Sequence, residues 1–216
     1  MHVETFNLIT VVIAILGLAI SIFNLYESRY SSPDIERTIG PYIKLSYTNH
    51  KEEKCATNFY VPVSFFNKSN RPAVIEKIAI EVYQKNNNQK RFFMQWHDYS
   101  EYNSDSRKWV TKEMAYSLPI LGKSSVQKLV HFKWNSDNNE NLIFEEGSYL
   151  FRFICWESGL SKPIIVEHDF SFDKKTFEKI ESYLKDKKNT AINLNLDKEM
   201  EANRLLNKHE SSQLIG

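Results

Sequence analysis

Cysteine is scarce in this chain: Cys55 and Cys155 are the two in 216 residues. With no CxxC and no Cys/His spacing of the zinc-site kind, neither a metal nor a cofactor is expected. Charge of one sign is lacking as well. Lysine and arginine number 28 against 27 aspartates and glutamates, so no strong field gathers nucleic acid. A G-x-S-x-G nucleophile elbow is absent, which leaves a hydrolase as a minor alternative. Long hydrophobic runs are also missing, with one exception.

That exception is Leu8 to Tyr26, LITVVIAILGLAISIFNLY, which carries no charge. As a helix it is long enough to cross the ~30 Å hydrocarbon core of a bilayer, and residues 1–26 read as a transmembrane anchor. A cleaved signal fits poorly, because MHVETFN holds no Lys or Arg and the bulky IFNLY makes a poor cleavage site. Arg29, Arg37 and Lys44 follow the run and no such residue precedes it. The positive-inside rule therefore predicts a single-pass protein of the cell inner membrane with a cytoplasmic carboxyl-terminal body. Thr10, Ala14, Gly17 and Ser21 fall on one face of the helix, a stripe of small residues that admits a second helix, from another copy or from a membrane-embedded partner.

Residues 27–41, rich in Ser, Pro and charge, read as a linker. From 42 to 173 the pattern turns to period two. Ile43, Leu45 and Tyr47 alternate with polar residues, and Phe59, Val61, Val63 and Phe65 form one apolar face. Pro62 lacks a donor, which predicts an edge strand or a bulge. Further alternating runs cover 73–85, 91–99, 109–118, 126–134, 147–158 and 162–173. About eight strands with no helical block among them predict a mainly β domain, an immunoglobulin-like antiparallel β-sandwich. Residues 174–188 then place Phe177, Ile180 and Leu184 at helical spacing, an amphipathic helix that caps the sandwich with its lysines in water. Residues 189–216 read as a mobile tail with a second helix over 196–208.

Asn67, Lys68, Ser69, Asn70, Arg71 and Pro72 form a turn before the apolar Ala73, Val74 and Ile75. Asn side chains bond nearby backbone, and Pro72 holds Arg71 out of the helical region. Together with the amino-terminal apolar helix and the polar linker, this turn resembles uncharacterised bacterial single-pass membrane-anchored proteins with an immunoglobulin-like β-sandwich domain. What the resemblance implies is a fold.

Two clusters are candidates for chemistry. Trp96, His97, Tyr99, Tyr102 and Trp109, with Asp98 and Glu101 among them, gather aromatic area and polar direction suited to gripping a peptide or sugar. Glu167, His168 and Asp169, with His131 on a neighbouring strand, are the second. Adjacent strand residues point to opposite faces, which removes a simple metal or relay reading there. Cys155, between apolar neighbours in a strand, reads as a small buried hydrophobe. The function these features favour is a membrane-anchored, non-catalytic protein-binding or assembly module. Its alternative is a periplasmic or surface domain that binds glycan or peptide.

Overall fold

One apolar helix precedes a sheet of antiparallel strands in the computed structural model, which describes residues 2–30, 32–49, 55–106, 108–136 and 139–196. The helix is α1 (His2–Arg29). The strands are β1 (Ile35–Ile39), β2 (Tyr42–Asn49), β3 (Cys55–Asn67), β4 (Ala73–Gln84), β5 (Asn87–Asn103), β6 (Lys108–Met114), β7 (Leu118–Ile120), β8 (Ser125–Trp134), β9 (Gly147–Glu157), β10 (Ile164–Phe172) and, after helix α2 (Lys174–Lys185), β11 (Thr190–Asn195). Within α1, Ile9–Glu27 is long and apolar enough to cross a membrane and no part of it is buried by the rest of the chain. A helix of this length and composition can serve as a membrane span or as a signal sequence.

The mainly β class stands. The strands form one antiparallel sheet in the order β10-β9-β4-β5-β8-β3-β2-β11, nearly closed into a barrel, with β1 on β3, β6 on β5 and β7 on β4. The curl turns on β5. Its first half, up to Gln95, pairs with β4, and its second half pairs with β8 and β6. The two open edges, β10 and β11, are joined through α2, and between them lies a cleft of about 570 Å³ lined by residues of all three elements.

Period-two alternation drives the interior. Ile43, Leu45, Phe59, Val61, Phe65, Ile80, Val82, Val130, Phe132, Phe151 and Phe153 are buried together. The loop before β9 adds Phe144, whose ring stacks on Phe172 and meets Tyr149 and Phe170 edge-on. Each such side chain contributes roughly 1.5–3 kcal/mol of apolar burial. Helix α2 is capped by Asp173, whose carboxylate accepts the Thr176 N–H at 2.7 Å. Its Ile180 is fully buried in the core, as the amphipathic spacing predicts.

Four expectations need correction. The segment read as a linker contains β1, because Ile35 and Ile39 are spaced to bury on one face against β3. The segment read as a mobile tail begins with β11, whose Leu194 is buried and whose backbone pairs with β2; the helix expected over 196–208 lies, apart from buried Leu196, outside the described residues. Pro62 is neither on an edge strand nor at a bulge. It sits in β3 where the partner on one side passes from β1 to β2, and its carbonyl accepts the Gly40 N–H at 2.8 Å. A strand residue's N–H and C=O point the same way, so the donor that proline lacks faces this turn and leaves no ladder bond unmade. Gly40 is required there, since a Cβ would stand 2.6 Å from Pro62 Cγ. Finally, the charged run HKEEKCATN predicts a loop around Cys55, but this residue is buried at the start of β3.

Candidate functional site

The outward face of β2, β3, β5 and β8 carries a polar cluster that the β5–β6 hairpin shelters. Residues that flank the apolar positions of β3 and β8 must face outward, which sets Asn58, Tyr60 and His131 side by side. Opposite them, β5 departs from period two. Trp96 pairs with Phe132 and Asp98 with His131, so His97 is an extra residue, a β-bulge. A bulge re-aims side chains, and here it brings the adjacent His97 and Asp98 to the same centre.

Asp98 is the hub. Only 1% exposed, its Oδ2 lies 2.8 Å from His97 Nδ1 and 2.8 Å from His131 Nδ1, and Ser100 Oγ donates to its Oδ1 at 2.7 Å. His131 Nε2 lies 3.1 Å from Asn58 Oδ1. The Asn58 amide is assigned by its other end, where Nδ2 donates to Thr48 Oγ1 at 3.2 Å and points at the carbonyls of Ala56 and Ser46. Burial pushes the Asp98 carboxyl up, yet the His131 and His97 ring nitrogens and the Ser100 hydroxyl that converge on it outweigh burial and hold it below the usual carboxylate range. Burial pushes His131 down, ahead of the pull from Asp98. His97, by contrast, is half in solvent, with 52% of its side chain exposed.

Aromatic rings wall this cluster. Tyr60 stacks on His131 with ring centroids 4.6 Å apart, and Trp109 of β6 stacks on Tyr60 at 5.3 Å. Tyr102 tilts against Trp109, and Lys44 Nζ stands 5.1 Å over the indole. The Trp109 indole N–H is buried without a hydrogen-bond partner among the described residues.

Of the five residues expected to bind, His97, Tyr102 and Trp109 therefore share this face. Trp96 and Tyr99 do not. Trp96 packs against the core, and Tyr99 is buried with its hydroxyl donating to the Tyr116 carbonyl at 2.8 Å. Lys44, Asn58, Tyr60, Ser100 and His131 belong to the site and carry no motif that marks them; the signal is cross-strand pairing. The second candidate cluster is dispersed, since β10 and β8 are separated by β9, β4 and β5. Glu167 accepts from Arg152 at 2.7 Å and Asp169 pairs with Lys85. In α1, Ser21 Oγ donates to the Gly17 carbonyl at 2.8 Å, and a Cβ on Gly17 would meet nothing within 4 Å. Thr10, Ala14, Gly17 and Ser21 all lie exposed.

No family model matches the chain, and no curated protein matches it. Among solved structures, a structural-genomics target determined by X-ray crystallography is similar with 9% identity and a TM-score of 0.34, over 66% of this chain and 89% of its own. A protein from Archaeoglobus fulgidus is similar with 7% identity and a TM-score of 0.32, over 66% of this chain and 98% of its own. Likeness at this level assigns no function.

Proposed function

We propose that the protein is a non-catalytic binding module held at the membrane surface, with α1 as its anchor and the aromatic outer face around Trp109 as the surface that takes a protein partner. The observation that carries this reading is Trp109 itself, stacked on Tyr60, tilted against Tyr102 and set beneath Lys44, with its indole N–H unpartnered among the described residues. Rigid aromatic rings bury large area at small entropic cost, which makes such a group an interface anchor. Arg29 and Arg37 after the helix support a cytoplasmic domain on the inner membrane. The face of Thr10, Ala14, Gly17 and Ser21 supports pairing with a second helix. Two strand groups meeting along β5 support the immunoglobulin-like sandwich and, with the Asn67 to Pro72 turn, the bacterial membrane-anchored setting.

Full-length protein is expected to stay with membranes through an alkaline carbonate wash, and recovery in the supernatant would end the anchor reading. Trp109→Ala is expected to abolish crosslinking to the partner while leaving thermal unfolding unchanged. The rival is a periplasmic or surface domain that stacks a glycan or peptide on the same rings. An active phosphatase fused at the carboxyl end would favour it.

A further inference from the structure

We propose that His97 Nδ1, Asp98 Oδ2 and His131 Nδ1 are the protein ligands of a divalent transition-metal ion of the zinc class. This goes beyond the binding-module reading and does not depend on it. The three ligand atoms lie within 4.8 Å of one another, on a buried carboxylate, a buried imidazole and a half-exposed one.

Donor and acceptor bookkeeping makes the case. Asn58 Oδ1 is an acceptor facing His131 Nε2, because Asn58 Nδ2 is committed to Thr48 Oγ1 and two carbonyls. His131 Nε2 must then carry its proton. In the neutral ring Nδ1 is a bare lone pair, and it stands 2.8 Å from Asp98 Oδ2, another acceptor. Two lone pairs do not face each other at that distance unless a cation lies between them. His97 Nδ1 converges on the same oxygen at 2.8 Å, so the position has a third donor atom ready.

The surroundings have the form of a metal site's outer shell. A ligating histidine donates its other N–H to a fixed acceptor, which sets tautomer and ring orientation, and Asn58 is that acceptor. Ser100 holds Oδ1 of the carboxylate and leaves Oδ2 to the ion. Tyr60, stacked on His131, fixes the ring plane. Two imidazoles and one carboxylate suit a borderline ion rather than magnesium or calcium, which take oxygen. Three protein ligands with one imidazole at the surface leave the remaining coordination position to water or to an incoming group. Metal-ligand distances of about 2.0–2.2 Å require the ligand atoms to part slightly from their present separations, and exposed His97 is free to swing.

The test uses untagged full-length protein in detergent micelles, stripped with chelator and titrated with Zn2+ by calorimetry and with Co2+ by visible absorption. One Zn2+ per chain is expected, with Co2+ developing a d–d spectrum and Zn2+ raising the unfolding temperature. His97→Ala, a surface change that leaves the core intact, is expected to weaken Zn2+ binding by at least about tenfold, as is Asn58→Leu through the outer shell. Failure of the wild type to bind Zn2+ saturably overturns the proposal, and so does unaltered binding by the His97→Ala protein, which would place the metal on other histidines. Nitrogen NMR that finds both His131 ring nitrogens protonated with Zn2+ in excess overturns it too, since the cation is then a proton.

Discussion

Arg37, in the segment that follows the helix, forms an ion pair with Glu157 at the end of β9, and the two side chains are only 11% and 5% exposed. The pair joins β1, which lies on β3, to a strand four places from β3 in the sheet order. Removing one partner strands the other as an uncompensated buried charge. Glu157→Ala is therefore expected to lower unfolding free energy by about 3–5 kcal/mol, whereas the double change Arg37→Met with Glu157→Leu recovers most of that loss. Urea denaturation of the three proteins checks both statements. A single change with no effect would mean that Arg37 is solvated.

Leu194 on β11 gives a second prediction. It is buried against the barrel in a stretch that pairs residue for residue with β2. Leu194→Ala is expected to cost about 2–5 kcal/mol, the range for deleting buried methyl groups. A loose tail would tolerate the same change, so thermal melts separate the two cases.

Cysteine chemistry gives a third. Burial pushes the Cys155 thiol up to about 11, beyond what its neighbour Arg37 offsets, and Cys55 is raised by burial as well. The thiolate is the reactive form, so iodoacetamide at pH 8 is expected to leave the folded protein unlabelled and to label both thiols after unfolding. Mass spectrometry counts the adducts. Rapid native labelling would mean that β9 opens.

The cap of α2 responds to acid. Hydrogen bonds from Thr176 hold the Asp173 carboxyl below its ordinary 3.8. A carboxyl whose folded pKa is depressed stabilises above its unfolded pKa and loses that contribution as pH falls through the folded value. The stability difference between wild type and Asp173→Ala is therefore expected to be full at pH 6 and to vanish toward pH 2. Helicity followed by circular dichroism across that range measures it.

What the sequence disclosed and what it hid follow from local rules. The apolar face of Phe59, Val61, Val63 and Phe65 was legible because a long strand repeats its period often enough to stand out. Ile35 with Ile39, and Leu194 with Leu196, are too few to do so, and polar neighbours disguised β1 as linker and β11 as tail. The site was half legible. His97, Tyr102 and Trp109 are crowded in one stretch, but the bulge breaks the alternation on which a face assignment depends. Asp98 meets a histidine 33 residues away, which in turn meets an asparagine 73 residues from it. Such pairings are set by strand order alone, which a period-two pattern leaves undetermined.

The few residues between Arg29 and Ile35, at about 3.3–3.6 Å each when fully stretched, allow the sheet little travel from the end of α1. With α1 in a bilayer, the folded body would pivot close to the headgroups instead of sweeping the aqueous space. A partner of the proposed kind would then have to be another resident of that membrane or a visitor already grazing its surface.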